Sequence, residues 1–172
     1  MPQIVLTGFM ATGKTEVGKR LARLLGRPFV DTDGIVEAAE GRTVAQIFAA
    51  EGEVRFRGLE RAAVEQACAV RDAVIATGGG ALLDAENRRR LAAAGPIICL
   101  SATPEDILKR TGNGMNRPLL ATQAHGADRL DRVRALLLER APSYALASHM
   151  VDTSGLTADQ VAERVRDLVV GR

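Results

Sequence analysis

Short apolar segments alternate with longer stretches of helical periodicity along the chain, and this pattern predicts the fold. Five apolar segments stand out, at residues 4–6, 29–30, 74–76, 97–100 and 150–151. Near-continuous apolar strands separated by helices are typical of a parallel sheet that is covered on both faces. The pattern therefore predicts one α/β domain over residues 1–172.

The stretch after the first predicted strand shows clear helical spacing. Val17, Leu21 and Leu24 recur on one face, and Gly26 follows where a helix C-cap belongs. Other helix starts are predicted by two capping boxes and a threonine–proline pair, at residues 43–46, 157–160 and 103–104. Helical spacing is absent from Thr111 to residue 127 and then resumes, and Pro142 is expected to start a final turn before the fifth strand.

The loop between the first strand and the first helix carries the strongest chemical signal. Residues Gly8–Thr15 read Gly-Phe-Met-Ala-Thr-Gly-Lys-Thr and fit the pattern G-x-x-x-x-G-K-[ST]. Such a loop directs backbone N–H groups and the positive end of a helix dipole at one point, where a polyphosphate can bind. We expect Lys14 to reach the β- and γ-phosphates and the Thr15 hydroxyl to bind Mg²⁺.

Carboxylates and glycines follow the next two predicted strands. Ligands of parallel α/β sheets bind beyond the carboxyl ends of the strands, so Asp31, Asp33 and residues 78–80 are candidate site residues. A strand period of two would place Asp31 and Asp33 on the same side, where one could hold Mg²⁺ through water and the other accept a hydroxyl proton. Alternatively, Asp33 caps the following helix and the glycine triplet forms a tight turn.

Arg57 and Glu60 are three residues apart in a predicted helix and therefore share a face. A carboxylate beside an arginine can hold the guanidinium rigid, so that it binds another carboxylate through two hydrogen bonds. A solvated surface ion pair is the alternative interpretation, and a simple surface role applies equally to Arg140.

Composition and charge narrow the classes of partner. The chain has 172 residues and a net charge of +2, with no tryptophan and only five other aromatic residues. Lysine and arginine are spread along the chain, which argues against a nucleic-acid surface. No apolar run has the length of a membrane span, so we expect a cytoplasmic protein without membrane or nucleic-acid partners.

Six motifs occur together, and their order is that of one enzyme family. They are Gly8–Thr15, Asp31-Thr32-Asp33, Phe56-Arg57-x-x-Glu60, Gly78-Gly79-Gly80, Arg117-Pro118-Leu119-Leu120 and Arg140-x-Pro142-x-Tyr144. In these motifs the chain resembles shikimate kinases from end to end. The resemblance implies a three-layer α/β/α P-loop kinase fold with a five-stranded parallel sheet in the order 2-3-1-4-5. It also implies a substrate-binding region at about 33–61 and a lid at about 112–125.

The resemblance implies transfer of the ATP γ-phosphoryl group to the 3-hydroxyl of shikimate, a step of chorismate and aromatic amino-acid biosynthesis. Mg²⁺ would be the cofactor, ATP the co-substrate, and the protein a monomer. Another small-molecule kinase of this fold, such as a gluconate kinase, would share the phosphate loop but would not require Arg57, Glu60 and the glycine triplet together. A nucleoside-monophosphate kinase is disfavoured for the same reason, and a non-catalytic nucleotide-binding module is the alternative from a different class.

Roles for individual residues also come from the resemblance. Catalysis would involve Asp33, Lys14 and Arg117. The nucleotide would be bound by Gly8, Ala11, Thr12, Gly13, Lys14, Thr15, Glu16, Arg110 and Arg117. Shikimate would be bound by Asp33, Arg57, Gly78, Gly79, Gly80 and Arg140, with Glu60 supporting Arg57. Thr15 would bind the metal directly and Asp31 through water. Ala11 stands where relatives often have glycine.

Overall fold

The computed structural model describes residues 1–112 and 127–171, and it confirms the predicted sheet. The strands are β1 (Ile4–Gly8), β2 (Phe29–Asp31), β3 (Val74–Ala76), β4 (Ile97–Ser101) and β5 (His149–Asp152). Each neighbouring pair is parallel, and the strand order is 2-3-1-4-5. The predicted order is therefore correct, and each predicted apolar segment lies within a strand.

Helices connect the strands at the predicted places. They are α1 (Lys14–Leu25), α2 (Thr32–Glu40), α3 (Val44–Cys68), α4 (Ala85–Ala94), α5 (Pro104–Thr111), α6 (Ala127–Tyr144) and α7 (Ala158–Val170), with a short 3-10 turn at Ala81–Leu83. Both predicted capping boxes are formed, at Thr43 and at Thr157. Gly26 ends α1 in the left-handed conformation, at φ 63°. Gly52 interrupts α3 with a non-helical backbone.

Apolar side chains pack on both faces of the sheet and so create three layers. One cluster joins the sheet to α3, α4, α5 and α6 and includes Val64, Leu91 and Ile107. The other joins it to α1 and α7 and includes Leu21 and Val165. A third, smaller cluster under α2 and α3 supports the region that was predicted to bind the substrate. The two faces of the sheet are buried, as the continuous apolar strands indicate.

Pro142 does not start a separate turn, and that prediction is wrong. It lies inside α6, which continues to Tyr144. A proline in a helix removes the hydrogen bond to the carbonyl four residues earlier, which here belongs to Leu138. Leu138 is 76% exposed and Pro142 is two residues from the end of the helix, so water can replace the missing donor.

Part of the predicted site falls outside the described residues. The predicted lid at 112–125, including Arg117, lies there except for Gly112. Within the ranges 1–112 and 127–171, no helix combines the length and the apolar character needed to cross a bilayer.

Candidate active site

The backbone of the Gly8–Thr15 loop, here called the phosphate loop, requires glycine at its two ends. Gly8 has φ 133°, and a Cβ atom at this position would collide with the carbonyl oxygen of Leu100 in β4. Gly13 has φ 92° and is the N-cap of α1. The first N–H groups of α1 have no partner within the helix and carry the positive end of its dipole. The loop can therefore bind phosphate through its backbone.

Side chains of the phosphate loop stabilise it internally. The Thr12 hydroxyl is buried and donates to the Phe9 carbonyl at 2.7 Å. The Lys14 ammonium donates to the carbonyl oxygens of Gly8 and Phe9, both at 2.9 Å. Ala11 adopts the left-handed conformation at φ 61°, which glycine adopts more readily than alanine. The predicted loop residues thus lie together at the start of α1.

Glu16 and Arg110, both predicted to bind the nucleotide, lie on different sides of the phosphate loop. The Glu16 carboxylate pairs with Arg20 along the exposed face of α1, so only its backbone N–H belongs to the loop end of the helix. Arg110 donates to the Ala11 carbonyl at 3.2 Å and to the Thr153 hydroxyl at 3.1 Å. Arg110 therefore joins the phosphate loop to the segment after β5.

The positions of Asp31 and Asp33 differ from the strand-based prediction. Strand β2 ends at Asp31, and Asp33 lies in the first turn of α2, so the extended geometry does not continue to it. Asp31 is the N-cap, and it accepts from the backbone N–H groups of Asp33 and Gly34. The interpretation of Asp33 as the helix cap is therefore wrong. The Asp33 carboxylate does not cap α2, so it is available for other contacts.

Thr15, at the end of the phosphate loop, and Asp31 bring two oxygen atoms together that could bind a metal ion. The Thr15 hydroxyl donates to Asp31 Oδ2 at 2.8 Å. Mg²⁺ prefers oxygen ligands and is usually held by one or two protein groups together with water and substrate phosphates. The described residues contain no cluster of three or more acidic, histidine or cysteine side chains that could hold a metal alone. The Thr15–Asp31 pair fits a Mg²⁺ ion that arrives with a nucleotide.

A cavity of about 400 Å³, here called the substrate cavity, opens beside the phosphate loop. The glycine triplet lines it together with charged side chains from α2, α3 and α6. A Cβ atom at Gly78 would stand 2.6 Å from Glu60 Oε2 and 3.0 Å from Asp33 Oδ1. A Cβ at Gly79 would stand 3.1 Å from Arg140 Nη1, and one at Gly80 would collide with the Arg57 guanidinium. A side chain at any of these three positions would crowd the charged groups, so the glycine triplet leaves room for them beside the backbone.

Two carboxylates point into the substrate cavity with unused hydrogen-bonding capacity. Asp33 Oδ1 and Glu60 Oε2 are buried and find no donor among the described residues. Burial raises the pKa of the Asp33 carboxyl to about 6, and the charges of Asp31 and Glu60 act in the same direction. Burial also raises the pKa of Glu60, although Arg57 opposes the change. Both carboxylates are therefore suited to accept hydrogen bonds from a ligand's hydroxyl groups.

Two arginines complete the lining, and neither is a simple surface residue. The Glu60 side chain is 1% exposed and accepts from Arg57 at 2.8 Å. Arg57 also donates to Glu53 at 3.1 Å. Arg140 is 2% exposed, and its Nε finds no acceptor among the described residues. The alternative of solvated surface groups is wrong for Arg57, Glu60 and Arg140.

Several residues without a predicted role hold this arrangement in place. The buried Tyr144 hydroxyl donates to the Gly79 carbonyl at 2.6 Å, and Thr32 Oγ1 accepts from the Gly78 N–H at 3.2 Å. Tyr144 stands one helical turn after Arg140, and Glu53 one turn before Arg57, so helical spacing could have indicated both. No local signal links Thr32 to Gly78, because the contact depends on the pairing of β2 with β3.

Comparison with known proteins gives consistent matches over nearly the whole chain. A family model described as shikimate kinase matches residues 10–169. The chain is 47% identical to a shikimate kinase of Pelotomaculum thermopropionicum, over 96% of this chain and 94% of that protein. It is 54% identical to a shikimate kinase of Symbiobacterium thermophilum, over 86% of this chain and 83% of that protein.

Solved structures agree with the sequence matches. Shikimate kinase from Acinetobacter baumannii in complex with shikimate superimposes with a TM-score of 0.93 at 37% identity, covering 99% of this chain and 94% of that chain. A gluconokinase from Sinorhizobium meliloti superimposes with a TM-score of 0.56 at 17% identity, covering 99% and 96% of the two chains, which shows a likeness of fold alone.

Proposed function

The chain belongs to the shikimate kinase family, and we propose that it transfers the γ-phosphoryl group of ATP to the 3-hydroxyl of shikimate, giving shikimate 3-phosphate. One observation carries the proposal. Two arginines and two buried carboxylates surround the glycine triplet beside a phosphate loop. Shikimate is a ring with one carboxylate and three hydroxyl groups. The arginines can bind its carboxylate, and the two buried carboxylates can accept hydrogen bonds from its hydroxyl groups.

On the nucleotide side, backbone N–H groups of the phosphate loop and the α1 terminus would hold the phosphates. Lys14 would exchange its two carbonyl acceptors for phosphate oxygens, which costs little because it remains within the same loop. Thr15, and Asp31 through water, would hold Mg²⁺, which neutralises phosphate charge when it is bound. Arg110 would lie on the adenine side, where it already joins the phosphate loop to Thr153.

On the acceptor side, Arg57 and Arg140 would hold the carboxylate of shikimate. Glu60 supports Arg57 through one oxygen, and its second oxygen is available for a ring hydroxyl. Asp33 would accept the proton of the reacting hydroxyl. With a pKa of about 6, its carboxyl is ionised at pH 7 but more basic than an ordinary aspartate. Phosphoryl transfer depends mainly on such positioning and charge stabilisation.

The proposal also includes the predicted lid, the oligomeric state and the cellular location. Arg117 lies outside the described residues, and we keep it as the predicted lid residue that contacts the phosphates. The monomeric state, the cytoplasmic location and the absence of nucleic-acid partners also stay predictions.

The test is an ADP-release assay that compares shikimate, gluconate and a nucleoside monophosphate as acceptors. We expect turnover with shikimate alone, and a Lys14→Ala variant provides the background rate. Turnover with gluconate or the nucleoside monophosphate would reject the proposed acceptor. Binding of ATP without turnover on any acceptor would instead favour a non-catalytic nucleotide-binding module.

A further inference from the structure

Tyr144 in α6 lies behind the glycine triplet, on the side away from the substrate cavity. Its side chain lines a mainly apolar cavity of about 570 Å³ together with Phe9 and Leu137. The described residues that line the substrate cavity include the glycine triplet but not Tyr144. The Tyr144 hydroxyl donates to the Gly79 carbonyl at 2.6 Å. The peptide group that joins Gly79 to Gly80 therefore lies between Tyr144 and the substrate cavity.

The hydrogen bond to Tyr144 sets the direction of the next N–H group. In a trans peptide the C=O and N–H bonds point in opposite directions, and none of the described peptide bonds is cis. Since the Gly79 carbonyl points at Tyr144, the Gly80 N–H points to the opposite side, where the substrate cavity is. In the described part of the chain this N–H has no acceptor. It is therefore a free donor at the wall of the substrate cavity.

The free Gly80 N–H lies close to both arginines of the substrate cavity. A Cβ atom on Gly80 would collide with the Arg57 guanidinium, and one on Gly79 would stand 3.1 Å from Arg140 Nη1. A carboxylate held by the two arginines would therefore lie within reach of a third donor, which belongs to the backbone. Hydrogen bonds to an ionised group are roughly twice as strong as neutral ones, so such a donor would contribute measurably to affinity.

The glycine triplet needs an outside contact to keep this peptide group in one orientation. Glycine populates more of φ/ψ space than other residues do, so a peptide between two glycines rotates with little steric cost. The Tyr144 hydroxyl supplies the contact. Burial raises the pKa of Tyr144 to about 12, although the charge of Arg140 opposes the change. The hydroxyl therefore stays protonated, and remains a donor, throughout the neutral pH range.

We infer that Tyr144 is a positioning residue that holds the peptide between Gly79 and Gly80 with the Gly80 N–H toward the carboxylate of the acceptor. The inference rests on the proposed function, in which Arg57 and Arg140 bind that carboxylate. Tyr144 acts through the peptide, because it lies behind it. Without the hydroxyl, the peptide would populate several orientations, and the acceptor would have to select one of them at a cost in conformational entropy.

The first experiment compares the kinetics of wild type and Tyr144→Phe, which removes the hydroxyl and keeps the ring. We expect the KM for shikimate to rise at least about fivefold, since a donor to a charged group is disordered rather than deleted. The kcat at saturating shikimate and the KM for ATP should stay within about twofold of wild type, because the weakened interaction contributes to binding of the acceptor and not to the reacting groups.

Thr77→Val is the matched control, because it also removes a buried hydroxyl beside the glycine triplet. The Thr77 hydroxyl donates to the Leu6 carbonyl in β1 at 3.3 Å and not to the triplet. This variant should keep the wild-type KM for shikimate and for ATP.

A spectroscopic measurement separates positioning from a general structural role. The glycine triplet contains the only Gly-Gly peptide bonds of the sequence. Glycine labelled with ¹³C at its carbonyl carbon and with ¹⁵N therefore gives HNCO signals from the amides of Gly79 and Gly80 alone. In wild type we expect a sharp Gly80 signal that shikimate moves downfield, because the N–H then bonds to a carboxylate. In ligand-free Tyr144→Phe the signal should broaden, and saturating shikimate should restore its wild-type width.

An unchanged KM for shikimate in Tyr144→Phe, an equal rise in the KM for ATP, or a sharp wild-type Gly80 signal in the ligand-free variant would each overturn the inference. The lack of a downfield shift in wild type would do the same. If Tyr144→Phe does not fold by circular dichroism, Tyr144→Met is the second variant with the same expectation. Failure of the proposed function has a different signature, because wild-type protein would then neither bind nor phosphorylate shikimate. That result would reject both, whereas normal kinetics of Tyr144→Phe with shikimate would reject the role of Tyr144 alone.

Discussion

The phosphate loop and the substrate cavity lie side by side but are built in opposite ways. The phosphate loop is eight consecutive residues whose side chains bind the loop's own backbone, as Thr12 and Lys14 do. The substrate cavity gathers side chains from α2, α3 and α6 around the glycine triplet, and five charged side chains line it. The phosphate loop is formed mainly by local contacts, whereas the substrate cavity depends on the packing of several elements that are distant in the chain.

The two regions also differ in how well their polar groups are satisfied without ligand. In the substrate cavity, Asp33 Oδ1, Glu60 Oε2 and Arg140 Nε are buried without a hydrogen-bond partner among the described residues. Leaving a buried polar atom unpaired costs about 1–3 kcal/mol. Such groups gain partners when a complementary acceptor binds. In the proposed function, the phosphate loop binds the nucleotide and the substrate cavity selects the acceptor.

The largest expected effect is on kcat, and it tests whether catalysis depends on the Asp33 carboxylate. Asp33→Asn keeps the shape of the side chain but removes its negative charge and its ability to accept a proton. We expect kcat with saturating shikimate to fall at least ~10²-fold. Affinity for Mg-ATP should stay at the wild-type value, because Lys14, Thr15 and Asp31 remain. A variant with near-normal kcat would show that Asp33 only orients the ring.

The same substitution should stabilise the ligand-free protein. The pKa of Asp33 is raised from 3.8 to about 6 in the folded state, so this group favours folding below pH 4 and loses that contribution as pH rises through 6. At pH 7, Asp33→Asn should therefore increase the free energy of unfolding, by about 1–2 kcal/mol after allowing for partial solvent contact. Urea unfolding with EDTA at pH 7 and pH 4 measures this, and the difference should disappear at pH 4.

Asp84→Asn is the control with the opposite sign. Hydrogen bonds from Arg61 and from backbone N–H groups lower the pKa of Asp84. The ionised form is therefore favoured by folding, and this substitution should reduce stability at pH 7. If both substitutions changed the free energy of unfolding in the same direction and by the same amount, burial of the ionised Asp33 carboxylate would not destabilise the ligand-free protein.

A smaller effect should show that a change in the substrate cavity alters shikimate binding but not nucleotide binding. Arg57→Lys keeps the positive charge but loses the planar fork that pairs with Glu53 and Glu60. We expect shikimate affinity to fall about tenfold, equivalent to the loss of one charge-assisted hydrogen bond. Affinity for ADP should not change, and calorimetry measures both.

Arg61→Lys is the matched control, because Arg61 lies on the same helix but its side chain is 57% exposed and pairs with Asp84. Neither ligand should bind differently to it. Equal shikimate affinity in wild type and Arg57→Lys would remove Arg57 from the proposed carboxylate site.

The smallest expected effect concerns the phosphate loop. Ala11 adopts φ 61°, a conformation that costs a residue with a Cβ atom about 1–2 kcal/mol, whereas glycine adopts it freely but loses more entropy on folding. We expect Ala11→Gly to raise the free energy of unfolding by about 0.5 kcal/mol. Ala92→Gly, inside α4, should lower it by about 1 kcal/mol. A destabilised Ala11→Gly variant would mean that the loop backbone is not strained at this position.

Features that depend on near neighbours could be predicted from the sequence. The five strands, the capping boxes at Thr43 and Thr157 and the phosphate loop depend on apolar runs, short hydrogen bonds and glycine conformations. The capping partners and the internal hydrogen bonds of the phosphate loop lie within a few residues along the chain. Each strand is predicted by its own apolar run, although its pairing partners are distant. The family resemblance also predicted the sheet order, and it predicted that Arg57, Glu60 and Arg140 belong to one site.

The contacts that the site residues make were decided only by the tertiary structure. Strand β2 ends before Asp33, so Asp33 points its carboxylate beside Gly78 and leaves the capping role to Asp31. Burial of Glu60 and the contact of Arg140 with Phe9 join segments far apart in the chain. Such contacts and the desolvation that raises the pKa of Asp33 arise only when the helices pack on the sheet, because no local pattern encodes the distance between separate elements.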